Sequence, residues 1–291
     1  MKQLVILFLF FSLSAFSQNF EKVDSIVSKY ARFSKVEDLA NQIEKDFSSD
    51  ANKSRAAFFW LTKNIRYNLR EFYNPSKRNY SFRYSSEEEK IEKLQAFKDD
   101  LVVETFKNKI GVCEEYAQSF KKICDLLAIE SEVIKGNVRN TADEIGQISN
   151  TTNHAWNAVK IDEKWIILDA TWAAGSETNG KWIRNFDDYF YDIPTHKIFK
   201  THYPEDKIWV IRFGRMSENE FYNQPIYSNT FLRLKATLTS PQTGIINLKS
   251  SENIVLKFND LNPKLLIFYT LKGIKGSQKP ITTLEKTTTT L

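Results

Sequence analysis

The sequence predicts an α+β protein, with helices packed on an antiparallel sheet and a small C-terminal β module. Three observations carry that prediction. Apolar residues recur at helical spacing over residues 20–65 and again over 111–129. Two largely apolar segments, 154–161 and 165–172, are separated by the turn residues Asp162-Glu163, the pattern of a hairpin. From Phe231 onward Leu232, Leu234, Ala236 and Leu238 alternate with other residues, which is strand periodicity. With 291 residues and 42% hydrophobic content the chain can bury one substantial core and a smaller second one. The expected division is a leader over 1–17, a main domain over 18–228 and a β-rich module over 229–291.

The leader differs in kind from the rest. Met1-Lys2 gives a positive start, residues 4–13 are almost wholly apolar, and Ala15-Phe16-Ser17 is a small-x-small cleavage pattern before Gln18. An apolar run of about ten residues is half of the roughly 20 needed to span a bilayer. The expected product is an exported protein, periplasmic or extracellular, without stable membrane insertion once the leader is removed. No cysteine stands at the cleavage point to take a lipid.

Within 20–65 the apolar spacing marks two or three short helices. Residues 66–84 interleave Arg70, Lys77, Arg78 and Arg83 with Tyr67, Tyr73, Tyr80 and Tyr84 around Asn74-Pro75. Such a stretch could hold a glycan or an anionic polymer, but it reads better as an irregular arm with its tyrosines packed down. Residues 87–98 form a charged, solvated helix. Next comes the clearest amphipathic helix, 111–129, with Val112, Tyr116, Phe120, Ile123, Cys124 and Leu127 on one face. Strands follow over 131–138, 154–161 and 165–172. Residues 186–213 are aromatic and irregular, and the C-terminal module should hold further strands over 254–258 and 265–271.

Basic residues number 41 against 36 acidic ones and are spread along the chain, so charge predicts no nucleic-acid partner. Cysteine usage is more telling, because exported proteins usually pair their thiols and this chain has only Cys113 and Cys124. On one helix their separation is about 16 Å. A disulfide needs Cα atoms within about 7 Å. Two free thiols in an oxidising compartment flag a chemical role for one of them, and position selects Cys113. The first turn of a helix presents unpaired N–H groups that favour a thiolate and can hold an oxyanion. Gly111 just before it should let a substrate approach the backbone.

A thiol nucleophile needs a base, and the base an orienting carboxylate. The histidines are His154, His196 and His202. If Asp162-Glu163 make a two-residue turn, Ile161 pairs with Lys164, His154 falls opposite Thr171 and Trp156 opposite Asp169. His154 and Asp169 then share a face one diagonal step apart. A slip of one residue would separate them. Asp169 also interrupts the apolar run Trp165-Ile166-Ile167-Leu168, where a carboxylate needs a partner. Neither His196 nor His202 has a companion at ligand spacing, so no metal and no cofactor are expected.

Three blocks in order, Gly111-Val112-Cys113-Glu114-Glu115-Tyr116-Ala117, Asn153-His154-Ala155-Trp156-Asn157 and Leu168-Asp169-Ala170-Thr171-Trp172, resemble the core of transglutaminase-like proteins, especially the branch related to the kyphoscoliosis peptidase. Arg55-Ala56-Ala57-Phe58-Phe59-Trp60 through Tyr67 resembles the family's leading helix, and Thr201-His202-Tyr203-Pro204-Glu205-Asp206 through Trp209 a segment after the core. The resemblance spans 51–210 and implies a papain-like fold with Cys113 as nucleophile, His154 as base and Asp169 as orienting acid. It assigns His202 to the trailing segment and not to the triad. Residues 81–105 have no equivalent, and no side chain is assigned to the oxyanion. The expected function is thiol-dependent acyl chemistry on a peptide or protein amide. Hydrolysis is preferred over cross-linking to an amine, because the resembling branch is peptidase-like. Two other classes stay open: an idle module binding a cell-envelope peptide or protein, and a structural role in which the C-terminal strands pair with a partner's edge.

Overall fold

The computed structural model describes residues 20–75, 83–247, 249 and 252–271. The leader, the part of the basic-aromatic arm that contains Lys77, Arg78 and Tyr80, and the threonine-rich end fall outside the described residues.

The first helical stretch resolves into α1 (Glu21–Val27), α2 (Val36–Asp46) and α3 (Asp50–Asn64). Ser49 starts α3 by accepting the Asn52 N–H at 3.3 Å. Leu39, Ile43, Phe58 and Trp60 are buried, and Trp60 stacks on Phe106 with ring centroids 5.1 Å apart. Arg55 grips Asp24 through two bonds of 2.9 and 2.6 Å, tying α3 to α1.

The arm after α3 is more ordered than its sequence suggests. It contains a two-residue strand, β1 (Arg66–Tyr67), and a short helix, α4 (Leu69–Tyr73). Tyr67 is packed as expected, whereas Tyr73 and Tyr84 are exposed. The charged helix is longer than its polar half implies: α5 (Glu87–Asn108) runs on and buries Leu101, Val102 and Phe106. It ends at Lys109, whose positive φ of 56° turns the chain into β2 (Ile110–Gly111), parallel to β1. From there the chain enters α6 (Cys113–Leu126), whose Tyr116, Phe120, Ile123 and Cys124 face the core. Each such large apolar side chain contributes about 1.5–3 kcal/mol by leaving water.

The central sheet has strand order β5-β4-β3-β8, formed by β3 (Ser131–Val138), β4 (His154–Ile161), β5 (Lys164–Leu168) and β8 (His202–Pro204). Neighbouring strands in it are all antiparallel. The hairpin register is the one the turn demanded: Ile161 pairs with Lys164, Lys160 with Trp165 and Asn157 with Leu168. Asp162 and Glu163 have φ of 47° and 62°, the positive values a two-residue hairpin turn requires. The third strand, however, stops at Leu168 instead of Trp172. Asp169 turns the chain into α7 (Ala170–Ala174), so Thr171 lies on a helix and does not face His154 across a ladder. A carboxylate that can bond the N–H groups ahead of it favours a helix start over two more strand residues.

Gly136 in β3 pairs with His154 on one side and Pro204 on the other. A Cβ there would lie 2.2 Å from the Tyr203 carbonyl oxygen and 2.6 Å from the Trp156 ring, so only glycine allows both strands to close on it. The hairpin β6 (Gly175–Thr178) and β7 (Lys181–Arg184) follows α7. Beyond it the region expected to be irregular carries α8 (Thr195–Ile198) and, after β8, α9 (Lys207–Phe213), and α10 (Glu218–Asn223) follows. In the C-terminal part, residues 229–232 are helical, α11 (Asn229–Leu232). Only β9 (Thr237–Ser240) and β10 (Lys257–Asn259) form a ladder, and no strand is formed over 265–271 among the described residues. The architecture is α+β, helices against a curled antiparallel sheet.

Candidate active site

Cys113 is the first residue of α6. The parallel β1–β2 pair, with Tyr67 beside Gly111, delivers the chain to that point in extended form. Val112 at the N-cap has no side chain that can accept a hydrogen bond, so this helix end has no side-chain cap, and its first-turn N–H groups stay available. Glu115 instead accepts the Val112 N–H at 3.0 Å. Gly111 is needed for a reason other than substrate approach: a Cβ there would lie 2.6 Å from the Glu115 Cβ. Both cysteines are free. Cys113 is half-buried, whereas Cys124 is sealed in the core, where burial pushes its thiol up to about 12.

His154 opens β4. Ahead of it, Asn153 brackets Val138, accepting its N–H at 2.8 Å and donating to its carbonyl at 3.0 Å, which fixes where the strand begins. Asn157 then ties β4 to the cysteine helix by donating to the Ala117 carbonyl at 3.0 Å. The imidazole lies between Trp156 and Trp172, with ring centroids 6.1 and 6.0 Å away, and only 7% of the residue is exposed. Its Nε2 is 2.6 Å from Asp169 Oδ2. The Cys113 thiol is close enough to the same ring to add to its affinity for a proton. With Nε2 taken by Asp169, Nδ1 is the nitrogen left for the sulfur.

Asp169 is fully buried and accepts four hydrogen bonds. Oδ1 takes the N–H groups of Thr171 and Trp172 at 2.8 and 2.9 Å, which is the cap of α7. Oδ2 takes His154 and also His202, whose Nε2 is 3.0 Å away. His202 is buried too, and its Nδ1 lies 2.7 Å from the Thr201 hydroxyl. Sequence reasoning set His202 apart because nothing near it along the chain was a partner. Its companions are spatial, brought by the pairing of β8 with β3. His196 is not part of the cluster. Tyr67 was also missed: burial raises the affinity of its phenol for the proton, and the nearby charges of Cys113 and Asp169 raise it further.

The two imidazoles differ electrostatically. Burial works against a charged His154, but Asp169, by charge and by hydrogen bond, and then Cys113 raise it from 6.5 to about 10. Burial lowers His202, and its bond to Asp169 offsets that only in part. Burial likewise opposes ionisation of Asp169. The charge and hydrogen bond of His154, with those of His202, nevertheless hold its carboxyl well below the ordinary range. The same carboxylate thus favours the charged form of His154, while burial favours the neutral form of His202.

Two histidines and a carboxylate whose donor atoms lie within 4.8 Å of one another have the composition of a metal site. Their spacing does not suit one. The 2.6 Å between Nε2 of His154 and Oδ2 of Asp169 is the length of a charge-assisted hydrogen bond. Ligand atoms about 2.0 Å from a tetrahedral ion stand about 3.3 Å apart. A groove between α5 and α6, lined by Gln95, Asp99, Lys122 and Asp125 among others, contains none of the three predicted residues.

The family model described as the transglutaminase-like superfamily matches residues 37–170. Human kyphoscoliosis peptidase is 24% identical over 260 residues, which cover 88% of this chain and 36% of that protein. Hillarin of Drosophila melanogaster is 24% identical over 237 residues, 74% of this chain and 25% of that protein. The chain thus spans about a third or less of the length of these curated relatives. Among solved structures, the crystal structure of a TGase covers 62% of this chain and 40% of its own, with a TM-score of 0.32 and 18% identity. Residues 37–170 thus match the transglutaminase-like superfamily, and the chain is similar to the kyphoscoliosis peptidases of human and mouse.

Proposed function

We propose that this protein is an exported thiol-dependent acyl-transfer enzyme acting on peptide or protein amides, with Cys113 as nucleophile, His154 as acid and base, and Asp169 as the group that orients His154. The observation that carries it is the His154 imidazole placed between a half-buried thiol at an uncapped helix start and a buried carboxylate 2.6 Å away.

In the first step the proton shared by Cys113 and His154 rests on His154 Nδ1 and the Cys113 sulfur forms a bond to the amide carbon. The carbonyl oxygen becomes an oxyanion, which the first-turn N–H groups of α6 can receive. Collapse breaks the C–N bond as His154 returns the proton to the departing amine, leaving a thioester on Cys113. Water, deprotonated by His154, then attacks the thioester, releasing a carboxylic acid and the thiol. An amine in place of that water would give a cross-link. Hydrolysis is preferred because the similar proteins of human and mouse are named as peptidases.

Export is supported by the charged start and apolar run of residues 1–17. Among the described residues no helix is long and apolar enough to cross a membrane. A substrate in the cell envelope fits that location.

A brief pulse of iodoacetamide on the native protein, followed by peptide mass mapping, tests the nucleophile. Cys113 should label far faster than a free thiol at neutral pH. Labelling at the ordinary rate, together with unaltered turnover of a peptide library by Cys113→Ala, would overturn the proposal. Running the library with and without an added primary amine separates hydrolysis from transfer.

A further inference from the structure

The His154–Asp169 pair has a second imidazole behind it that the acyl-transfer scheme does not use. We propose that His202, fixed as its Nε2–H tautomer by the Thr201 hydroxyl, is a positioning residue that keeps the buried Asp169 carboxylate ionised and so keeps His154 oriented. This role rests on the acyl-transfer reading of the site only insofar as His154 serves the thiol.

The hydrogen-bond inventory forces the tautomer. Ionised Asp169 can only accept, so His202 Nε2, 3.0 Å from Oδ2, must carry a proton. A neutral ring then has Nδ1 bare, and Thr201 donates to it at 2.7 Å. The alternative acceptor for that hydroxyl, the Ile198 carbonyl, is 3.5 Å away, at the limit of a hydrogen bond. Thr201 is itself held in place where the Arg139 N–H reaches its carbonyl at 3.2 Å, extending the pairing of β3 with β8.

Asp169 needs this help because it has no water. A carboxylate with 0% exposure stays charged only when its oxygens are filled. The α7 cap fills Oδ1, and His154 fills half of Oδ2. His202 supplies what remains, and being neutral it does so without competing with His154 for the negative charge. The titratable groups facing Asp169 are His154, His202, Tyr67 and Tyr116. Of these only the two histidines bond it directly.

Removing the donor should therefore move the titration of Asp169 upward. The experiment compares Thr201→Val, which keeps shape and loses the hydroxyl, and His202→Leu with the donor-retaining controls Thr201→Ser and His202→Gln. Two readouts are taken: the acid limb of Cys113 alkylation against pH, and the carbon-13 shift of the Asp169 carboxyl against pH. In Thr201→Val and His202→Leu both midpoints should rise by about one pH unit or more, with the controls near wild type. A purely packing role would lower melting temperature without moving either midpoint. Unmoved carboxyl midpoints in folded Thr201→Val overturn the positioning role whatever the thiol does. A moved carboxyl midpoint beside an unreactive wild-type Cys113 upholds it and overturns the acyl-transfer reading instead. Should His202→Leu fail to fold, Thr201→Val decides the matter.

Discussion

The two ends of helix α6 carry the same functional group in opposite circumstances. Cys113 sits at the start of the helix, half-buried, with uncapped N–H groups around it and His154 alongside. Cys124 sits on the same helix with 0% exposure, in a core that pushes its thiol up to about 12. Chemical identity is shared, so helix position, solvent access and an imidazole neighbour must account for any difference in behaviour. A cysteine is made reactive by its surroundings and not by its presence.

The largest test of that contrast is turnover. Cys113→Ala should lower it by about a thousandfold or more, measured as kcat on a cleaved peptide. Cys124→Ala should stay within about twofold. Equal losses would erase the distinction between the ends. Next is His154→Ala, for which a loss of about 10²- to 10⁴-fold is expected if it moves the proton. A third comparison uses stability. His154 is raised to about 10, so its contribution is complete below its ordinary value near 6.5 and is lost as pH climbs towards 10. Asp169 is lowered, so its contribution is present above about pH 4 and is lost on acidification. Melting temperature should therefore fall more steeply from pH 7 to pH 10 in the wild type than in Asp169→Asn, and parallel curves would mean the pair is not ionised. The smallest effect belongs to the buried end. Cys124→Ala should cost about 1 kcal/mol in denaturant unfolding, as a small cavity does. Cys124 should label only when the protein unfolds.

How much of this was legible depended on whether the determinant was local. Asp162-Glu163 is a two-residue turn that fixes every pair up to Asn157–Leu168, so the shared face of His154 and Asp169 could be counted from the sequence. The same counting failed one residue later, because Asp169 caps a helix, a choice set by its bonds to Thr171 and Trp172. His202 was out of reach for a different reason. Its place depends on β8 pairing with β3 across the intervening hairpins, and no spacing along the chain encodes that. The C-terminal part was read from alternation alone. There Leu232 turned out to end a helix, and only short pieces of the alternating stretch found a neighbouring strand.

Gly136 has a consequence for how the protein can vary. Strand β3 is the shared spine between the strand that bears His154 and the strand that bears His202, and at Gly136 both neighbours press against it. Insertions in the polar loop after Val138, or at the exposed Asn179-Gly180 turn between β6 and β7, hang outside this spine and should be absorbed. A single methyl at 136 is different in kind. It would wedge the Tyr203 carbonyl and the Trp156 ring outward together, so the smallest possible enlargement of the chain would disturb both imidazoles, while much longer insertions elsewhere disturb neither.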